Sequence, residues 1–176
     1  MEIGAAQPEQ YIGAADAAYG NRAFLRHYCV HLTGPDLTTG WPAVPADARA
    51  ARGFSGDLLE LHQSWISDLD AIDGMDAGGG SNDVMAQVLG RRVARKTLLA
   101  VAGLVSVRDR TWTTDRVGAA KRLSQLLPPL APGLEELVAW SESARAARDD
   151  VRRSLGAGGA VQRIVTAFSQ EIGVWR

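Results

Sequence analysis

The sequence predicts an all-α protein, an up-and-down bundle of five to six helices around one long central helix. Three observations carry that prediction. Apolar residues recur at steps of three and four, which places them on one face of a helix. No segment alternates apolar and polar residues as a half-buried strand would. Gly34-Pro35, Gly78-Gly79-Gly80, Pro128-Pro129 and the glycines at 156, 158 and 159 punctuate the chain and leave helix-length stretches between them. Antiparallel helices joined by short loops form a bundle.

Residues 16–33 form the first expected helix, with Phe24, Leu25, Tyr28, Cys29 and Leu32 on one side and Gly34-Pro35 as its stop. Residues 34–53 read as a proline-bearing loop. The clearest stripe follows in 55–72, where Leu58, His62, Trp65, Leu69 and Ile72 fall within about 80° on a helical wheel. Ser55 is its expected N-cap. After the three glycines, Ser81 caps the longest helix, 82–107, whose second half is apolar nearly all round and therefore central. The next helix begins at Thr113 or Thr114, with Asp115 in its first turn, and ends at Pro128-Pro129. A further helix spans 133–155 with a break near Ser143. Val161, Ile164, Val165, Phe168, Ile172 and Trp175 continue at helical spacing to the end.

At 176 residues the chain suits one domain, 1–176, with 1–15 as a flexible arm. Nineteen basic against twenty acidic residues give a net charge of -1, so no global field gathers nucleic acid or anionic membrane. The lone cysteine, Cys29, excludes an internal disulfide and a multi-thiolate zinc site. Absence of a basic-then-apolar leader and of any run of about 18 apolar residues predicts a cytoplasmic protein with no membrane partner.

The segment Arg91-Arg92-Val-Ala-Arg95-Lys96-Thr97, the apolar run to Val107, and then Arg110-Thr111-Trp112-Thr113-Thr114-Asp115 resembles the C-terminal helical domain of aminoglycoside-type nucleotidyltransferases. Residues 26–37, ending in Gly34-Pro35-Asp36-Leu37, resemble the family's segment that follows its catalytic domain. The resemblance covers roughly residues 22–130 and implies a domain that binds the acceptor substrate. The family's chemistry resides in a separate α/β domain, where Gly-Ser precedes an Asp-x-Asp pair. About twenty residues precede the first matching segment, too few for such a domain. The implied partners are a small anionic or aminoglycoside-like ligand, or a separate nucleotidyltransferase chain, with no cofactor.

Ser67-Asp68-Leu69-Asp70, with Gly53-Phe54-Ser55-Gly56 upstream, imitates the missing metal motif. Acids at i and i+2 share a face on a strand, and this segment is helical, so no metal site is predicted. Arg22 with His27, and Arg26 with His31, match the Arg-x4-6-His pattern of HEPN ribonucleases, in which His handles the ribose proton and Arg the phosphate charge. On an ideal helix a five-residue step separates Arg26 and His31 by about 140°, so they converge only where the helix ends. His62 lies inside its stripe, as a hydrogen-bonded core histidine more than as a cleft base.

Arg91 and Arg95 share the wheel position of Val84, Val88, Leu98 and Ala102, which predicts that both point inward and meet carboxylates or an anionic ligand. Trp41 and Trp112 fall in expected loops, where an aromatic stacks on a ligand or covers the core. The expected ligand site is therefore Arg91, Arg95, Trp112 and Asp115, and this reading assigns no catalytic residue. The alternatives are an enzyme using Arg26 and His31, one using His62 or His31 as base, and a homodimer formed through the tryptophans.

Overall fold

The computed structural model describes residues 11–75, 79–143 and 146–175. The elements run α1 (Asp16–Tyr28), α2 (Ala48–Ser55), α3 (Leu58–Asp73), α4 (Gly79–Asp109), α5 (Arg116–Leu126), a 3₁₀ turn (Pro128–Leu130), α6 (Ala131–Ser143), α7 (Arg148–Leu155) and α8 (Ala160–Glu171). Among the described residues there is no strand. The protein is an all-α bundle with a long central helix, as the sequence predicts.

Centrality belongs to α4, which packs against α2, α3, α5, α6, α7 and α8. Every residue from 97 to 106 is buried. Leu58, Trp65 and Leu69 of α3, Leu123 of α5, Leu134 and Leu137 of α6 and Phe168 of α8 join Leu98 and Leu104 in one contiguous core. No helix among the described residues is long and apolar enough to cross a membrane.

Several local expectations are corrected. α1 stops at Tyr28, not at 33, because Cys29 turns extended; Leu32, expected on the packed side, is 89% exposed. Residues 48–55, read as loop, form α2. Asp47 caps it by accepting from Ala50 N at 2.7 Å, and Ala50, Ala51 and Gly53 are buried. Gly53 is no loop glycine. It packs on Gly20 of α1 so closely that a Cβ there would lie 2.6 Å from Gly20 N and nearer still to Gly20 Cα and Asp16 O. Ser55 ends α2 instead of capping α3, whose N-cap position is Asp57. α4 begins at Gly79, so Ser81 lies inside it; Asp76 to Gly78 lie outside the described residues. The expected break near Ser143 falls where α6 ends, and α7 follows at Arg148. α8 ends at Glu171, and Trp175 turns back so that its N–H donates to Gly56 O at 3.0 Å.

Of the expected arm, residues 1–10 lie outside the described residues. Tyr11 O and Gly13 O accept from Arg22 Nη1 at 2.6 and 3.2 Å.

The largest correction concerns the phase of the first half of α4. Val84 and Val88 are 58% and 64% exposed, and Arg91 and Arg95 are exposed with them. The buried stripe is instead Ala86, Leu89, Gly90, Val93, Ala94 and Thr97. Small residues decide this: at Gly90 a Cβ would reach 2.9 Å from Val151 Cγ2, with the Ala146 methyl closer, so side-chain methyls of the chain around α7 pack directly on the α4 backbone. The other phase would bury two guanidinium groups, which is costly without acids to meet them. Lys96 is half-buried and reaches Phe54 O and Asp57 Oδ2, both at 3.1 Å.

Candidate anion-binding cleft

An open cleft of about 420 Å³ lies where α1, α4, α5 and α6 meet; Phe24, Tyr28, Arg95, Thr114, Asp115, Arg116, Val117 and Ser141 line it. Phe24 and Tyr28 are one helical turn apart on α1, and their rings stack at 5.4 Å with 7° between planes. The Tyr28 hydroxyl donates to Thr113 O at 3.0 Å, which ties this apolar wall to the α4–α5 turn. That turn is closed by α4 itself: Thr111 N donates to Ser106 O and Thr113 N to Ser106 Oγ, each at 3.0 Å, with Arg110 at φ 53 at the corner. Burial pushes the Tyr28 phenol up, so it remains a neutral donor.

Asp115 is the N-cap of α5, its Oδ1 accepting from Val117 N at 3.0 Å. Its carboxylate is thus committed to the positive end of its own helix. Gly118 leaves room for it, since a Cβ there would lie 2.6 Å from Asp115 Oδ2. Arg116 follows as the first helical residue.

Arg116 is the electrostatic anomaly of the molecule. Arg49, Arg52, Arg92, Arg108, Arg122, Arg148, Arg152 and Arg153 all meet carboxylates. Arg22, Arg26 and Arg163 reach backbone carbonyls. Among the described residues Arg116 is half-buried with neither kind of partner, and so its charge is uncompensated. Burial first, and the nearby Arg95 guanidinium second, push its pKa below the ordinary arginine value. Arginine stays protonated regardless, so the site retains two facing positive charges.

The expected site residues separate into two groups. Arg95 and Asp115 come together on this cleft. Arg91 does not; it is exposed on the outer face of α4. Trp112 does not line the cleft either. Its indole N–H donates to Val44 O at 2.7 Å and its ring lies against His27, Tyr28 and Phe54, so it covers the core. Trp41 packs near Tyr11, ring centres 6.1 Å apart. Arg116, Tyr28 and Phe24 were missed as site residues. An arginine directly after a capping acid was the available signal for the first; the i, i+4 aromatic pair signalled packing and not a ligand wall.

The remaining candidates have plain positions. His62 is buried and its Nε2 is 2.8 Å from Leu155 O, the position of a hydrogen-bonded core histidine. Asp68 and Asp70 diverge on α3 and meet Arg92 at 3.5 Å and Arg152 at 3.1 Å. Among the described residues no group of three or more potential ligands could hold a metal ion. Arg26 and His31 both line a separate pocket of about 410 Å³ together with Asp36. Thr38 donates to Asp36 Oδ1 from its backbone and its hydroxyl, each at 2.8 Å, which holds that carboxyl below the usual range.

No protein-family model, curated protein or solved structure matches the chain.

Proposed function

We propose that this chain is a helical ligand-binding domain whose cleft at Arg95 and Arg116 takes a small anionic molecule. The observation that carries the reading is Arg116, half-buried beside a second guanidinium with no carboxylate partner among the described residues. An anion removes the repulsion and supplies the missing hydrogen-bond acceptors. A polycationic aminoglycoside would meet like charge in the same place, so the acceptor class suggested by the resemblance fits this cleft less well than an anion does. The reading extends to a substrate-binding half that works beside a separate nucleotidyltransferase chain; its support is the resemblance of residues 91–115.

Calorimetry with citrate and with inorganic phosphate tests the reading. Charge-assisted hydrogen bonds contribute about 1.5–3 kcal/mol, so Arg116→Met should weaken anion binding by about 10- to 100-fold. Arg91→Met removes the same charge outside the cleft and should leave binding within about twofold. Equal losses in both variants would show attraction by net charge and not by a site.

One observation favours a second reading, ribonuclease chemistry. Because α1 ends at Tyr28, Arg26 and His31 are not held on opposite helical faces, and they line one pocket. His31 would move the 2′-hydroxyl proton and Arg26 would meet the phosphate, although Arg26 already donates to Thr38 O at 3.3 Å. RNA cleavage by the pure protein, lost in both Arg26→Ala and His31→Ala, is the required result.

A further inference from the structure

The chemistry of the cleft narrows the ligand beyond its charge sign. A carboxylate presents its acceptor sites in one plane, though two guanidinium groups can share it, as Arg49 and Arg52 share Asp16. Here two guanidinium groups converge from different helices, Arg95 from the middle of α4 and Arg116 from the first turn of α5. A tetrahedral phosphate has three terminal oxygens and can accept from both at once. Asp115, the acid nearest in sequence, also lines the cleft and lowers its positive charge, but its Oδ1 serves Val117 N and the positive end of α5, and among the described residues it makes no ion pair with either arginine. The Tyr28 hydroxyl proton is committed to Thr113 O and the Ser141 hydroxyl proton to Val138 O. Recognition of the anion therefore falls to the two arginines, with the Thr114 hydroxyl lining the cleft beside them. Opposite them, the stacked Phe24 and Tyr28 rings offer a wall with no free donor, and the cleft of about 420 Å³ has room for more than a bare ion.

We infer that the ligand is a phosphate monoester with an apolar or aromatic body, its phosphate between Arg95 and Arg116 and its body against Phe24 and Tyr28. This rests on the anion-binding reading above. At neutral pH such a phosphate carries a charge of about -1.5 to -2, which matches two guanidinium groups better than a monocarboxylate does.

The experiment compares phenyl phosphate, inorganic phosphate and benzoate by calorimetry on the full chain. Phenyl phosphate should bind about tenfold tighter than benzoate at pH 7.5. That ratio should shrink as the pH falls through the second phosphate ionisation near 6, roughly halving the phosphate charge. Tyr28, Arg95, Asp115 and Arg116 are the charged or titratable groups lining the cleft. Their effects fall on both ligands, so the ratio isolates the phosphate. Arg95→Met and Arg116→Met should each abolish the preference for phosphate, and Phe24→Ser should abolish the advantage of phenyl phosphate over inorganic phosphate. Circular dichroism and a melt on each variant establish that it is folded. Benzoate binding as tightly as phenyl phosphate, with both lost in Arg116→Met, would overturn the phosphate assignment and leave the anion site standing. Phenyl phosphate no tighter than inorganic phosphate would overturn the apolar body. If none of the three binds, or if Arg116→Met changes none of them, the anion-binding reading itself fails.

Discussion

Replacing Gly53 by alanine tests the contact that seats α1, and with it the aromatic wall of the cleft. On an open helix the change would stabilise by about 1 kcal/mol, because glycine loses more backbone freedom on folding. Here the new Cβ would lie 2.6 Å from Gly20 N, with Gly20 Cα and Asp16 O closer. All three are backbone atoms, so no side chain can rotate away and the helices must part. Overpacking of this kind costs about 1–3 kcal/mol, and a backbone obstacle puts it near 3. The net loss is about 2 kcal/mol, which for a chain of this length lowers Tm by about 4–8 °C. Moving α1 also disturbs the 3.0 Å bond from Tyr28 to Thr113 O, so anion affinity should fall with stability. Gly118→Ala is the contrast: its Cβ meets only the Asp115 carboxylate, which can swing aside. Loss of the cap, about 1 kcal/mol, then roughly cancels the helix gain. Thermal melts by circular dichroism read both variants. A Gly53→Ala protein that melts at or above the parent would refute the claim that α1 and α2 touch through backbone.

Thr97 is fully buried in α4 and its Oγ1 has no hydrogen-bond partner. Thr97→Val keeps the shape and removes a stranded hydroxyl, so it should stabilise by about 1 kcal/mol, or about 2–4 °C in Tm; a clear fall would mean that the hydroxyl is satisfied. His27 stacks on Trp112 with ring centres 4.9 Å apart, and burial, with the Arg26 charge nearby, lowers its pKa from 6.5. A depressed histidine is neutral in the fold while the unfolded chain takes up a proton, so its contribution is complete above pH 6.5 and is lost as pH falls through the folded value. The parent should therefore lose Tm between pH 7.5 and 5.5 by more than His27→Gln does, and identical profiles would count against a half-buried neutral imidazole.

Legibility followed side-chain size. The stripe of α3 was readable because Leu58, Trp65 and Leu69 are large, and all are buried as expected. The apolar half of α4 announced its central place in the same way. Where packing rests on small residues the reading failed: Gly20 against Gly53, and Gly90 against Ala146, are contacts whose strength is the absence of a side chain. Apolar periodicity gives such positions little weight, so α2 looked like loop and the first half of α4 looked inverted.

The candidate site was legible only in part for a related reason. The helix start was expected at Thr113 or Thr114 with Asp115 in the first turn, whereas Asp115 is itself the cap and α5 begins at Arg116. Arg95 was expected at a ligand through a phase argument that the exposed Val84 and Val88 overturn; it reaches the cleft from the outer face of α4. The sequence by itself determined the helical class, the punctuation between helices and the central place of 97–106, since these follow from propensity and hydrophobic pattern within one segment. Only the tertiary structure decided that Arg95, Arg116, Phe24 and Tyr28 share a cleft, and that among the described residues Arg116 meets no carboxylate there. The distant α1 must pack on the consecutive pair α4 and α5 before these side chains meet, and whether a cation is paired depends on what the other helices bring to it.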